Sequence, residues 1–350
     1  MEKMVQRVKV GVILLSIVIL SLGLSGCKQD KPVLYVYNWG DYIDESILEE
    51  FEKEMGIKVI YDTFATNEDM YVKIKSGGSS YDVIFPSDYM LTRMREENML
   101  EKIDLEQIPN HKHLESRFMG TEYDPSNEYS LPYMWGTMGI LYNTTMVHEE
   151  VDSWDILWDP KYAKEILMLD SQRDSIGAAL LKLGYSLNTL DPKELADAGE
   201  LLKKQKPLVL AYVVDEGKDK MVAGEAALAL TWSGEAAYAR EENEDLAYAI
   251  PKEGTNIWFD VMAIPKGAKN KEGALKFMDF LHRPEISLRN AEYTGYATPN
   301  LAARAMLPEE IRTDRSSYPE EEDLVNAEVF VSLGKTLKEY DRIWTEVKAH

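Results

Sequence analysis

Residues 34–61 read LYVYNWGDYIDESILEEFEKEMGIKVIY. Leu34-Tyr35-Val36-Tyr37-Asn38 has the composition and two-residue alternation of a strand. From Asp44 to Met55 the apolar period changes, setting Ile47, Leu48, Phe51 and Met55 on one helical face, and Gly56 stops that helix. Ile57-Lys58-Val59-Ile60-Tyr61 then returns to strand. The pattern continues outward. Asn67 caps a predicted helix to Ser76, closed by Gly77-Gly78. Asp82-Val83-Ile84-Phe85 is a short buried strand, and a helix runs from Asp88 to Leu100. Strand and helix alternating three times predict a largely parallel sheet covered by helices.

A second cycle occupies the middle of the chain. Strands are expected at 166–169, 208–213, 226–232 and 246–250, with helices at 175–185, 192–205, 217–223 and 234–241. The flanking extended segments 133–143 and 258–265 are the candidate crossings between two halves. From Lys271 onward the chain reads as mainly helical, punctuated by Pro284, Pro299, Pro308 and Pro319. The expected fold is therefore α/β with two lobes, residues 33–137 plus 265–305 forming one and 138–264 plus 306–350 the other.

The first 26 residues have a different character. Lys3, Arg7 and Lys9 precede an apolar run from Val10 to Leu24, about 15 residues long. A membrane-spanning helix needs roughly 20, so the run matches a signal-peptide core. Leu24-Ser25-Gly26-Cys27 follows, small residues before a cysteine, as at a bacterial lipoprotein processing site. The expectation is a leader at 1–26, lipidation at Cys27 and a tether at 27–32, holding an extracytoplasmic protein to a membrane through its lipid. Cys27 is the only cysteine, so no internal disulfide forms and stability rests on packing.

The chain carries a formal charge of −22. Such an excess of acid argues against nucleic-acid binding and against basic-patch adhesion to anionic lipid, and it is compatible with a cationic ligand. Open α/β sheets bind ligands beyond the carboxyl ends of their strands. There the sequence repeatedly sets aromatic rings beside carboxylates: Trp39, Asp41 and Tyr42; Ser87, Asp88 and Tyr89; Ser171 and Asp174; Trp232 and Glu235; Trp258 and Asp260; and Tyr296. Alkylammonium groups call for this mixture, because they need carboxylate acceptors and lie favourably on tryptophan and tyrosine faces.

At these residues the sequence resembles the periplasmic spermidine/putrescine-binding proteins of ABC importers, over nearly all of the chain after the leader. The likeness is carried by Tyr37-Asn38-Trp39-Gly40-Asp41-Tyr42, Gly56-Ile57-Lys58-Val59-Ile60-Tyr61, Tyr129-Ser130-Leu131-Pro132-Tyr133, Ala263-Ile264-Pro265, the block 269–275 and the block 295–304. The resemblance implies a type II periplasmic-binding fold that closes by a hinge. It implies an aromatic box of Trp39, Tyr42, Trp232, Trp258 and Tyr296. Asp260 falls where one terminal ammonium is bound and Asp174 where a glutamate binds the other. Ser87 and Tyr89 supply further contacts, and Asp41 and Glu235 match acids used in the putrescine-preferring branch. Two departures stand out, Ser171 for an aspartate and Phe330 for a glutamine, and both weaken the case for spermidine. Asp88 replaces a neutral residue and offers a new carboxylate.

The implied partners are a polyamine and a permease driven by a cytoplasmic ATPase. A monomer is expected, with no cofactor or metal. Enzyme readings lack motifs: the five histidines show no metal spacing, there is no Gly-x-Ser-x-Gly, and Gly334-Lys335-Thr336 lacks the earlier glycine of a phosphate loop. Binding of a carbohydrate or another organic cation on the same scaffold is the alternative.

Overall fold

In β1 (Val33–Trp39) the alternation sorts side chains to two faces of a sheet. Leu34 and Val36 enter one apolar cluster and Tyr37 enters another. The computed structural model describes residues 31–77 and 80–350. The expected leader, Cys27 and most of the tether lie outside the described residues. After β1 come α1 (Glu45–Met55), β2 (Lys58–Phe64), α2 (Asn67–Lys75), β3 (Val83–Ile84) and α3 (Asp88–Glu96). Gly56 adopts φ 67°, the left-handed conformation that ends α1, as its sequence position foretold. α2 is capped by Thr66, whose side chain accepts from the Asp69 amide. Asn67 is instead the first residue of that helix and is buried. α3 stops four residues before the expected Leu100, which bridges to Pro265.

β4 (Ser130–Asn143) is the spine of the molecule. Its first half pairs antiparallel with β9 (Ile257–Ala263), and its second half pairs with β7 (Leu228–Trp232) and β8 (Leu246–Ala249). The remaining middle elements are β5 (Ile166–Leu169), α4 (Gln172–Lys182), α5 (Pro192–Gln205), β6 (Val209–Val213), α6 (Glu216–Val222) and α7 (Ser233–Glu242). The nine strands follow the order β2-β1-β3-β9-β4-β7-β5-β6, with β8 branching from β4. Pairing is parallel among β2, β1 and β3 and among β6, β5 and β7; β9, β4 and β8 are antiparallel insertions. The expectation of a largely parallel sheet thus holds within each half and fails where the chain crosses.

Both halves of the sheet are covered on two faces. In the first, Leu34, Val36, Val83 and Leu131 pack to one side, while Tyr37, Ile84, Trp135 and Val261 pack to the other. In the second, Ile166, Met168, Leu228 and Leu230 face one cluster, and Leu167, Ala229 and Leu141 face the opposite one. Two allocations differ from the sequence expectation. Residues 257–264 were expected in the second lobe, but β9 hydrogen-bonds to β3 and to the first half of β4. Leu307 and Tyr318 likewise enter the core of the first lobe, and the chain returns to the second at Phe330. Chain proximity suggested otherwise; strand pairing decides, because each ladder must satisfy its own amides.

Three segments link the lobes, side by side. The Met138 amide donates to the Asn256 carbonyl at 3.0 Å, Ile257 donates to Glu328 at 3.0 Å, and Glu328 donates to Thr255 at 2.9 Å. After β9 the chain forms α8 (Lys271–Leu281), α9 (Pro284–Thr294), α10 (Leu301–Arg304) and α11 (Glu309–Arg312). The last helix, α12 (Leu337–Ala349), lies on the second lobe, with Tyr340, Ile343 and Val347 buried. The acidic run 320–323 forms an exposed capped turn. Among the described residues no helix is long and apolar enough to cross a membrane.

Asp82 ties the first lobe together. It is 1 % exposed, and its carboxylate accepts from the amides of Tyr35 (2.9 Å), Lys269 (2.8 Å) and Asn270 (2.8 Å). D82A strands these main-chain donors, and each buried orphan costs about 1–3 kcal/mol. The expected result is a loss of about 3 kcal/mol, measured as a lower urea midpoint at unchanged slope.

Candidate functional site

A cavity of about 320 Å³ opens between the lobes, a size within the range of small-molecule sites, roughly 300–1,000 Å³. It lies beyond the carboxyl ends of β1, β3, β5 and β7, as the open-sheet rule requires. Of the residues singled out in the sequence, Trp39, Tyr42, Ser87, Asp88, Tyr89, Ser171, Asp174, Trp232, Glu235, Trp258, Asp260, Tyr296 and Phe330 all line it.

Asp260 sits on β9 at the cavity wall and is 6 % exposed. The Tyr42 hydroxyl donates to its Oδ2 at 2.9 Å and Ser87 Oγ donates to its Oδ1 at 2.6 Å. Both donors are neutral. Burial pushes the carboxyl up to about 7; the two hydrogen bonds pull against this, and nearby Asp174 adds to it. Burial also lifts the Tyr42 hydroxyl well above its ordinary range, so it stays a donor. Asp174, in the first turn of α4, is likewise 6 % exposed. Trp232 Nε1 donates to its Oδ1 at 3.2 Å and the Ser171 hydroxyl donates to its Oδ2. Burial raises this carboxyl too.

Aromatic rings complete the walls. Tyr296 meets Tyr42 edge-on at 5.1 Å and Trp258 at 5.3 Å. Trp39 is fixed by donation from Nε1 to the Phe85 carbonyl at 2.8 Å. Glycines let these rings approach the backbone. A Cβ on Gly136 would fall 2.6 Å from the Trp258 ring, and one on Gly234 would fall 2.2 Å from the Tyr296 ring. At the other end Tyr89 meets Phe330 edge-on at 6.2 Å, with the Arg173 guanidinium 4.2 Å from the Phe330 ring.

Two expectations need correction. Asp41 does not line the cavity; its side chain is 66 % exposed and pairs with Lys218 at 3.3 Å. Asp88 reaches the cavity, but both its oxygens are engaged by main chain. Its Oδ1 accepts from the Tyr89 amide at 2.6 Å and its Oδ2 from the Phe259 amide at 3.0 Å. It fastens the start of α3 to β9, each oxygen accepting one main-chain hydrogen bond. Burial pushes it up to about 8.

Sequence reading also missed several groups. Asn67 donates to Ser87 Oγ (3.0 Å) and to the Tyr89 hydroxyl (3.1 Å), and that hydroxyl donates to Glu68 (3.2 Å). A cap at Asn67 would place its side chain on the helix end; buried in the first turn instead, it faces Ser87 and Tyr89. Two cations stand near the acids. Arg173 is 4 % exposed and donates to the Val331 carbonyl and to Asn188. Lys218 pairs with Glu235 at 3.1 Å. The adjacency of Arg173 to Asp174 was a usable signal. For Lys218 no local pattern existed, since its partners lie 177 and 17 positions away.

A model of the family described as bacterial extracellular solute-binding protein matches residues 46–316. The spermidine/putrescine-binding periplasmic protein of Escherichia coli (strain K12) is 42% identical over 333 residues, covering 94% of this chain and 96% of that protein. The putrescine-binding periplasmic protein of Pseudomonas aeruginosa is 38% identical over 340 residues, covering 91% and 93%. Among solved structures, the spermidine/putrescine ABC transporter substrate-binding protein of Streptococcus pneumoniae superposes with a TM-score of 0.79 at 43% identity, covering 91% of this chain and 99% of that one. The two-lobed architecture is that of the type II periplasmic-binding fold. By the extent of these matches, the chain belongs to the bacterial extracellular solute-binding proteins.

Proposed function

We propose that this protein captures a polyamine, putrescine or spermidine, between its lobes and delivers it to a membrane permease driven by a cytoplasmic ATPase. One observation carries the reading. Asp260 and Asp174 are buried in a single aromatic-walled cavity, and each receives hydrogen bonds only from neutral donors. Carboxylates removed from water without an ion-pair partner are unfavourable, so the site favours a cationic occupant. An alkyldiammonium ion supplies two charges, and its methylenes lie along Trp39, Trp232, Trp258 and Tyr296. The names of the relatives support the same ligand class.

Rough magnitudes make both chemistries necessary. Two charge-assisted hydrogen bonds contribute about 1.5–3 kcal/mol each. Four buried methylenes add about 0.8 kcal/mol each. Association costs at least about 4 kcal/mol, and micromolar binding requires about −8 kcal/mol. The remainder falls to the aromatic faces.

The anchoring follows from the first residues. A leader at 1–26 and lipidation at Cys27 would hold the molecule, as a monomer, on the outer face of the membrane beside its permease. The pairing of β9 supports lobes of 33–137 plus 257–329 and 138–256 plus 330–350 in place of the boundaries expected from sequence.

Three results test this reading. In titration calorimetry with putrescine, spermidine, spermine and neutral sugars, saturable binding is expected for at least one polyamine. Heat only from the sugars would reassign the ligand. D260N removes one charge while keeping the shape, and should weaken polyamine binding at least about tenfold; an unchanged Kd would exclude Asp260 from the ammonium site.

The third is pH dependence. Burial raises the Asp260 carboxyl to about 7 in the folded chain, against about 3.9 in the unfolded one. A cation binds the ionised form, so through Asp260 affinity should fall about tenfold in all as pH drops from 8 to 6. A carboxyl raised in the folded state adds stability below its unfolded value and loses it as pH rises through its folded value. The ligand-free protein should therefore melt lower at pH 8 than at pH 5, and added polyamine should raise the melting temperature more at pH 8. A ligand shift independent of pH would contradict the assignment.

A further inference from the structure

Of the acids that line the cavity, three are hydrogen-bonded by rings of the Trp39, Tyr42, Trp232, Trp258 and Tyr296 box: Asp260 by Tyr42, Asp174 by Trp232 and Glu235 by Tyr296. Their other partners differ in kind. Asp260 and Asp174 receive only hydroxyl and indole donors. Glu235, in the first turn of α7 and one helical turn beyond Trp232, already holds a cation. Its Oε2 lies 3.1 Å from Lys218 Nζ, with the two side chains 10 % and 11 % exposed. The same ammonium reaches Asp41 on the first lobe at 3.3 Å.

Lys218, which is not itself part of the cavity lining, thus takes the Glu235 oxygen that a ligand ammonium would otherwise approach. The Tyr296 hydroxyl, part of the aromatic wall, points to Glu235 Oε1 at 3.4 Å, which makes this acid continuous with the Trp258–Tyr296 pair. Asp215 approaches from the same side, so closely that a Cβ on Gly40 would lie 3.0 Å from its Oδ2. Burial pushes Glu235 up to about 7 while Lys218 pulls it down. Without Lys218 this corner would hold three acids and no cation.

We infer that Lys218 is a specificity-determining residue: it fills the third ammonium position with the protein's own charge and matches the remaining cavity to a dication. The inference rests on the polyamine reading and names the member of that class the site selects. A diamine finds the two acids of the aromatic box that no ion pair occupies, Asp260 and Asp174. A triamine must place its third charge beside Lys218 or displace it from a pair on which burial has already sharpened the attraction.

The test compares calorimetric affinities for putrescine and spermidine in the purified protein and in K218M, K218Q and K218R, with melting temperatures to establish that each is folded. The unaltered protein should bind putrescine at least about tenfold more tightly than spermidine. K218M should shift the affinity ratio toward spermidine by about tenfold or more. K218Q should do the same and serves if K218M does not fold. K218R should retain the original ratio, and E235Q added to K218M should abolish the gain for spermidine, which a merely structural lysine would not produce. An unchanged ratio in the neutral variants, or a spermidine preference in the unaltered protein, overturns the role of Lys218 alone. Failure of the unaltered protein to bind either amine overturns this inference together with the polyamine reading.

Discussion

A carboxylate buried without a counter-ion either takes up a proton or is held by donors, and the cleft is organised around two that are held. Asp260 is fixed by Tyr42 and Ser87, which arrive from the loops after β1 and β3. Asp174 is fixed by Trp232 at the end of β7 and by Ser171 after β5. Four strand ends on two lobes thus converge on two side chains. The donors keep the carboxyls in place without neutralising them, leaving each with unspent attraction for a positive charge. Much of the surrounding scaffold serves this arrangement. Asp82 locks the loop after β9, Asp88 locks α3 to β9, and Asn67 holds Ser87 and Tyr89 in position.

The aromatic walls obey a different constraint, that of space. Large rings pack against backbone only where the backbone carries no side chain, and Gly136 and Gly234 provide those places under Trp258 and Tyr296. These glycines are part of the binding chemistry although they touch no ligand. Such dependence is invisible in a motif, because the ring and the glycine that admits it are distant in the chain.

Much of the fold could be read directly. Periodicity located β1 to α3, the middle cycle and the extended segments that form β4 and β9, because apolar alternation is a local property. The cavity wall was nearly as legible, since strand-end position and residue type together select Trp39, Trp232, Trp258 and Asp260. What failed has one cause. Whether a carboxylate is free depends on partners that sequence order does not bring near. Asp41 looked like a ligand acid and is paired to Lys218; Asp88 looked like a new acid and also anchors the amides of Tyr89 and Phe259. The assignment of residues 257–264 failed likewise, because neighbours along the chain predicted one lobe and hydrogen-bond partners across the sheet imposed the other.

The three linking segments have a further consequence that is purely a matter of parity. An odd number of crossings leaves the beginning and the end of the folded chain in different lobes: β1 belongs to the first and α12 to the second. A surface attachment upstream of Val33 would hold the half that carries β1 and leave the half that carries α12 free to turn about the linking segments. A fluorophore near His350 and a quencher near Val33 would therefore report the angle between the halves, without any label inside the cleft.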